Sequence, residues 1–212
     1  VERIAYIDLD AHHCDGVQAA FSGDSDLLMI STHEAKRWPF TGALSENIID
    51  QQMNIPLLKN CNNEEFNLFF EGCVLPALDR FAPEAIIIQG GADAVCDDPL
   101  SRLALSNYTL WNAVKRLKER CDKVILTGGG GYNPWTVARL WAGFWLVLND
   151  RSPFIELPSG AQRVLKSLSW QRKLRPSSDL ITQLYDAPPE KAQLIRPETA
   201  ALAEHIRDLH AL

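Results

Sequence analysis

Near the start of the chain, the stretch from Ile4 to Gly16 (IAYIDLDAHHCDG) sets three aspartates and two adjacent histidines directly behind an apolar run. Side chains two apart on a strand share a face, so Asp8, Asp10 and His12 point one way while Leu9 and Ala11 point the other. Carboxylates that close repel each other and resist burial unless a cation neutralises them. A metal ion is the economical cation. Asp10 and His12 would supply one oxygen and one nitrogen, and Asp93, at the end of another apolar run, a second oxygen. Three protein ligands and an open position make a catalytic zinc arrangement rather than a closed structural one. The plainer reading of Asp-x-His, a helix cap or a surface polar pair, suits an isolated motif better than carboxylates gathered at two strand ends.

The elements that must position these groups are four short aliphatic runs: Ile4 to Leu9, Leu27 to Ile30, Ala85 to Ile88 and Val124 to Leu126. They lack clean alternation, as strands buried on both faces do. Helical patterns separate them. From Glu64 to Phe81 apolar residues recur at three- and four-residue spacing, and Leu110 to Leu117 repeats the pattern with a basic outer face. The alternation predicts a three-layer α/β/α domain with a mainly parallel sheet and right-handed crossovers. Pro134 to Leu148 is apolar nearly all round and reads as a largely buried helix, with Pro134 in its first turn. Beyond Asn149 the chain is more polar, and two amphipathic helices, Gly160 to Leu168 and Pro197 to Leu209, read as a cover over the same domain. The expected division is thus one domain over 1–212, with a metal-site core over 1–149 and a helical cover over 150–212.

Ligands in parallel α/β sheets bind beyond the carboxyl ends of the strands. All four runs end in polar residues: the aspartate and histidine cluster, Ser31-Thr32-His33, Gln89 to Asp93, and Thr127 followed by GGGGYN over Gly128 to Asn133. The glycine run lacks the Gly-Lys-Ser/Thr ending of a phosphate loop and does not fit Gly-x-Gly-x-x-Gly. Gly130 and Gly131 would instead let the backbone approach a bound ligand and aim Tyr132 over the site.

Composition narrows the function classes. A net charge of −6 over 212 residues argues against a sequence-independent grip on nucleic acid. The one basic stretch, Lys166 to Arg175, reads as a solvated helix face. Five cysteines, odd in number and without a Cys-x-x-Cys pair, suggest neither a disulfide framework nor a thiolate zinc site, and point to a reducing compartment. With no apolar run long enough for a membrane span and no signal-peptide pattern, the expected location is the cytoplasm.

Together these segments resemble the zinc-dependent histone deacetylase superfamily, including its bacterial acetoin-utilisation and acetylpolyamine deacetylase branches. The matching motifs are YIDLDAHHCDGVQAAF (Tyr6 to Phe21), ISTHE (Ile30 to Glu34), RWPFTG (Arg37 to Gly42), NIPL (Asn54 to Leu57), QGGADAVCDDPL (Gln89 to Leu100) and LTGGGGYNPWTVARLW (Leu126 to Trp141). The resemblance implies an arginase/deacetylase-like fold and hydrolysis of an N-acetyl amide on a lysine side chain or a polyamine. It makes Asp10, His12 and Asp93 the zinc ligands and Tyr132 the hydroxyl that polarises the acetamide carbonyl. Asp8 becomes a supporting carboxylate that, with Ser31, also holds a potassium ion. Asp15 becomes a buried carboxylate orienting a catalytic histidine, Asp98 a structural acid, and Trp38 part of the aromatic wall of the acyl channel.

The chain also departs from that pattern. The family's tandem histidine pair lies well upstream of the Asp-x-His strand, and this chain starts nine residues before Asp10. What is present resembles the carboxyl-terminal portion of the domain. His13 reads as a structural histidine on the strand's other face rather than a substitute base. Acid-base help is typically worth ~10²- to 10⁴-fold, so this chain is expected to bind zinc weakly and hydrolyse acetamides poorly. A shortened sheet should also bare an apolar surface that invites self-association. The alternative is a non-catalytic metal-binding or assembly module on the same scaffold. Cys14, where the family usually has glycine, reads as a tolerated small residue or as a thiol close to the metal.

Overall fold

The computed structural model describes residues 1–170, 178–189 and 191–212. Its centre is a five-stranded parallel sheet ordered β3-β2-β1-β4-β5. The strands are β1 (Ile4–Asp8), β2 (Leu27–Glu34), β3 (Gln52–Leu57), β4 (Ala85–Gly90) and β5 (Val124–Gly128). Helices α1 (Asp15–Phe21), α2 (Asn63–Phe69), α3 (Leu75–Phe81), α4 (Asn107–Lys118) and α5 (Pro134–Leu148) alternate with them; α6 (Ser159–Ser167), α7 (Asp179–Thr182) and α8 (Pro197–His210) follow. This is the expected α/β architecture, with a buried core that includes Ile7, Ile30, Ile55, Ile86, Phe66 and Phe144.

The fifth strand is not among the aliphatic runs. Gln52–Leu57 reads QMNIPL, and its Asn54 and Pro56 hide a strand from an apolar count. Proline cannot donate to a ladder, so it is tolerated at the edge position that β3 occupies. Strand β2 also runs on through Ser31, Thr32, His33 and Glu34, all buried. The helix expected over 64–81 is interrupted by a π turn at Phe70–Val74. Pro76 enters the next turn without an N–H to give, and the wider turn accommodates that loss.

Helix α5 departs from its expected burial. Leu140, Phe144 and Val147 are buried, yet Trp141 is 40% and Trp145 61% exposed on the adjoining face. Beside them β5 is the outer strand, with Ile125 60% exposed, and no described element covers that side. The carboxyl-terminal segment is tied down elsewhere. Arg139 of α5 donates to the Gln183 carbonyl and to Asp186, and Asn107 donates to the Leu184 carbonyl. Arg196 and Thr199 at the start of α8 both donate to Glu65 of α2. The basic stretch ends its helical part at Ser167, and its residues 171–175 lie outside the described residues. Among the described residues no helix is long and apolar enough to cross a membrane.

Candidate metal centre

Parallel register brings the polar strand ends to one level. Asp8 sits opposite Ser31 on one side and Gln89 on the other, and Gln89 sits opposite Thr127. Just beyond, the chain from β1 turns over the end of β4. Among the described residues, Asp10, His12 and Asp93 offer donor atoms that all lie within 4.8 Å of one another. The His12 Nδ1 is 3.0 Å from Asp10 Oδ1 and 2.9 Å from Asp93 Oδ2.

Backbone and side-chain donors fix both carboxylates. Asp10 accepts from the N–H of His12 at 2.9 Å, the N–H of Gly130 at 2.7 Å and the Gln89 side-chain amide at 2.9 Å. Asp93 accepts from the N–H of Ala11 at 2.8 Å. The glycines make this approach feasible. A Cβ on Gly130 would lie 2.1 Å from Asp93 Oδ2, and one on Gly91 would lie 2.3 Å from Asp10 Oδ2. The glycine loop thus brings the backbone against the Asp10 and Asp93 carboxylates.

Two carboxylates with 5% and 0% exposure, Asp10 and Asp93, therefore converge on one imidazole. Hydrogen bonding to both holds the His12 proton tightly and raises its pKa to about 10. Burial, with the Asp10 charge beside it, pushes Asp93 up. Burial acts on Asp10 in the same direction, but its bonds with His12, Asp93 and Gln89 outweigh it and hold the carboxyl below the usual range. The three groups form an oxygen–nitrogen–oxygen donor set with excess negative charge, which fits a divalent cation such as zinc.

Behind this set lies Asp8, 2% exposed. One of its oxygens accepts the Asp10 N–H at 3.0 Å and the other the Tyr6 hydroxyl at 2.7 Å. Burial raises it to about 7 against the pull of Tyr6. Ser31, its cross-strand neighbour, is equally buried and shares its hydroxyl with the His33 ring.

A cavity of about 750 Å³ opens in front of the metal set. Tyr132 and Gly130 line it on one side and Trp38 on the other. Asp98 holds the Tyr132 N–H at 2.7 Å. Burial and then the nearby Asp93, Asp10 and Asp98 charges raise the Tyr132 phenol, which keeps it a proton donor at neutral pH. Trp38 is 65% exposed, its ring centroid 6.2 Å from that of His12. Gly131 does not line the cavity; it takes a φ of +142° in the turn that presents Tyr132.

Asp15 departs from expectation. It stands at the first turn of α1 and lines the cavity, but it is exposed, with no described side chain laid over it. His13 lies past the strand and lines the same cavity as His12 instead of facing away from it, with its two ring nitrogens 2.8 Å from Thr41 Oγ1 and 2.8 Å from Gln18 Oε1. The Cys14 thiol is pushed up to about 12 by burial and then by Asp8, so it stays a protonated, small core side chain. Sequence reasoning misses Tyr6 and gives Gln89 no role. A signal exists for Gln89, a polar residue ending an aliphatic strand, but its aim at Asp10 depends on cross-strand register.

Comparison with known proteins shows the family and the fold. The family model for the histone deacetylase domain matches residues 1–148. The acetoin utilization protein AcuC of Bacillus subtilis is 36% identical over 74% of this chain and 43% of its own length. The putative histone deacetylase 2 of Caenorhabditis elegans is 35% identical over 66% of this chain and 29% of its own. Among solved structures, an HDAC homolog complexed with SAHA superposes with a TM-score of 0.87 at 34% identity, covering 97% of this chain and 57% of that one. The chain spans half or less of the length of such curated relatives.

Proposed function

The chain belongs to the histone deacetylase family, and from that membership we propose that it carries the metal-and-tyrosine part of a zinc-dependent deacetylase centre. The observation that carries the reading is the convergence of Asp10, His12 and Asp93 at the floor of a cavity that also holds Tyr132. Its substrate would be an acetylated amine, either a protein lysine or a polyamine. A relative described as complexed with SAHA supports occupation of this cavity by a slender ligand.

Bound zinc would supply Lewis-acid activation of water and of the amide carbonyl. The chain's own residues do the rest. Asp10, His12 and Asp93 hold the cation, and Gln89 and Gly130 keep the Asp10 carboxylate aimed. Tyr132 donates its hydroxyl to the carbonyl oxygen as negative charge grows there. Trp38 gives the acyl chain an apolar wall. A potassium ion bound at buried Asp8 and Ser31 belongs to the same proposal, since it would offset the charge that burial disfavours at Asp8.

Among the described residues, the two histidines lining the cavity are His12 and His13, and both rings are engaged as described above. The chain on its own should therefore turn over slowly for want of a free base. The test is elemental analysis of the purified chain after zinc loading, with hydrolysis of a fluorogenic acetyl-lysine peptide. About one zinc per chain with weak turnover supports the reading. Robust turnover abolished by Asp10→Asn would overturn the expected impairment, and no zinc at all would overturn the metal assignment.

One observation favours a second reading, an assembly module. Ile125, Trp141 and Trp145 form an exposed apolar face along the outer strand. All-parallel sheets are ordinarily covered on both faces, so this face would associate with another copy. Concentration-dependent growth in sedimentation mass, lost in Trp145→Lys, is the expected result; a strictly monomeric wild type would contradict it.

A further inference from the structure

Arg37 takes no part in the chemistry above, yet it joins the two walls of the cavity. Its Nε and Nη2 donate to the two oxygens of Glu34, at 2.5 and 2.9 Å, and its Nη1 donates to the Leu100 carbonyl at 2.7 Å. Glu34 is 5% exposed and also accepts the Arg102 N–H at 2.7 Å. From Leu100 the connection continues: its N–H donates to one oxygen of Asp98 at 2.9 Å, and the other oxygen accepts the Tyr132 N–H at 2.7 Å. A continuous path therefore runs from the base of the Trp38 loop to the Tyr132 loop.

The Trp38 loop needs such an anchor. Lys36 and Phe40, flanking Arg37 and Trp38, take φ of 59° and 67°. Residues with a Cβ hold that left-handed conformation only where their surroundings impose it. Phe40 is 75% exposed and lines the cavity with Trp38, so apolar contact alone does not hold this wall in place. The guanidinium fork does, because it can bind a carboxylate bidentately and reach a third acceptor at once.

We infer that Arg37 is a positioning residue that sets the separation between the Trp38–Phe40 wall and the Tyr132 wall, and thereby how tightly the cavity holds a chain that passes between them. This rests on the deacetylase reading. A lysine at position 37 could keep the ion pair with Glu34 but has one nitrogen in place of the three that Arg37 uses, so it weakens the strap while keeping the charge and separates loss of the strap from loss of the fold.

The experiment compares wild type, Arg37→Lys and Arg37→Gln, each loaded with zinc, by calorimetric titration with two hydroxamates. Acetohydroxamate reaches only the metal; octanohydroxamate must also pass between the walls. Arg37→Lys is expected to weaken octanohydroxamate about tenfold, the scale of a misplaced contact, and to leave acetohydroxamate within about twofold. Equal weakening of both would make Arg37 a support of the metal set or the fold, and no change in either would make the strap idle; each overturns the proposal. Amide hydrogen exchange on the zinc-free chain reads the strap independently. The Tyr132 and Leu100 N–H groups should exchange faster in Arg37→Lys while those of β1 do not, and unchanged exchange also overturns it. If acetohydroxamate fails to bind the wild type, the deacetylase reading fails and takes the effect on chain binding with it, while the exchange result still decides whether Arg37 holds the two loops together.

Discussion

Glu65 and Asp93 are both fully buried carboxylates, and the chain treats them in opposite ways. Glu65, on α2, is surrounded by donors that belong to it: Arg196 Nε and Nη2 at 2.6 Å each, the Arg196 N–H at 3.1 Å and the Thr199 hydroxyl at 2.8 Å. Burial would raise it, but these bonds bring it down to about 2. Among the described residues, Asp93 has no arginine or lysine paired with it. It faces a second carboxylate, shares one imidazole with it, and is pushed up. At Glu65 the sequence provides a matching fixed cation, Arg196. Where carboxylates crowd together with too little fixed positive charge, the balance is left for a bound ion.

The sharpest way to break that contrast is to neutralise each type of carboxylate. Asp10→Asn and Asp93→Asn should each lower zinc affinity by at least about 100-fold, since a direct ligand matters no less than its supporting shell, where losses of that size occur. Glu65→Gln should leave zinc affinity unchanged, as read by chelator competition. Next in size, Tyr132→Phe should retain zinc and lower whatever acetamide hydrolysis the chain supports by about 10²- to 10³-fold, the usual effect of losing one oxyanion donor.

Stability should divide the other way. Glu65→Gln is expected to cost about 2–3 kcal/mol in urea unfolding, below the range for a fully buried pair because Arg196 sits partly in water. Asp93→Asn should cost less than this, or stabilise the zinc-free chain by removing like-charge repulsion. Acid should act through the same pair. The folded value of Glu65, about 2, lies below its ordinary value of 4.5. Its contribution is therefore fully present above about pH 4.5 and is lost as pH falls toward 2. A urea midpoint that falls less steeply between pH 6 and 3 in Glu65→Gln than in the wild type is the expected outcome. Zinc affinity should instead climb with pH, by about tenfold per unit around neutrality, because binding displaces the proton held at His12.

Much of the metal side is legible in the residues alone. Asp10, His12, Asp93 and Tyr132 stand beside glycines or behind aliphatic runs, but Asp10 and His12 lie past the end of β1, so the turn beyond the strand rather than strand alternation brings them together. The strand QMNIPL is not legible by apolar counting, because edge position rather than composition makes it a strand. Nor are the roles of Gln89 and Tyr6, which follow from register and from which side chains lie opposite one another. Asp15 departs for a related reason: the family resemblance implies a buried supporting carboxylate, but burial depends on what packs over it. The Glu65–Arg196 pair spans residues too far apart for any local pattern to join them.

The most direct measurement is zinc-edge X-ray absorption on the zinc-loaded chain. The account expects a shell of oxygen and nitrogen scatterers alone, near ~2.0–2.1 Å, from Asp10, His12, Asp93 and solvent. A sulfur shell near ~2.3 Å would place a cysteine such as Cys14 on the metal and contradict it.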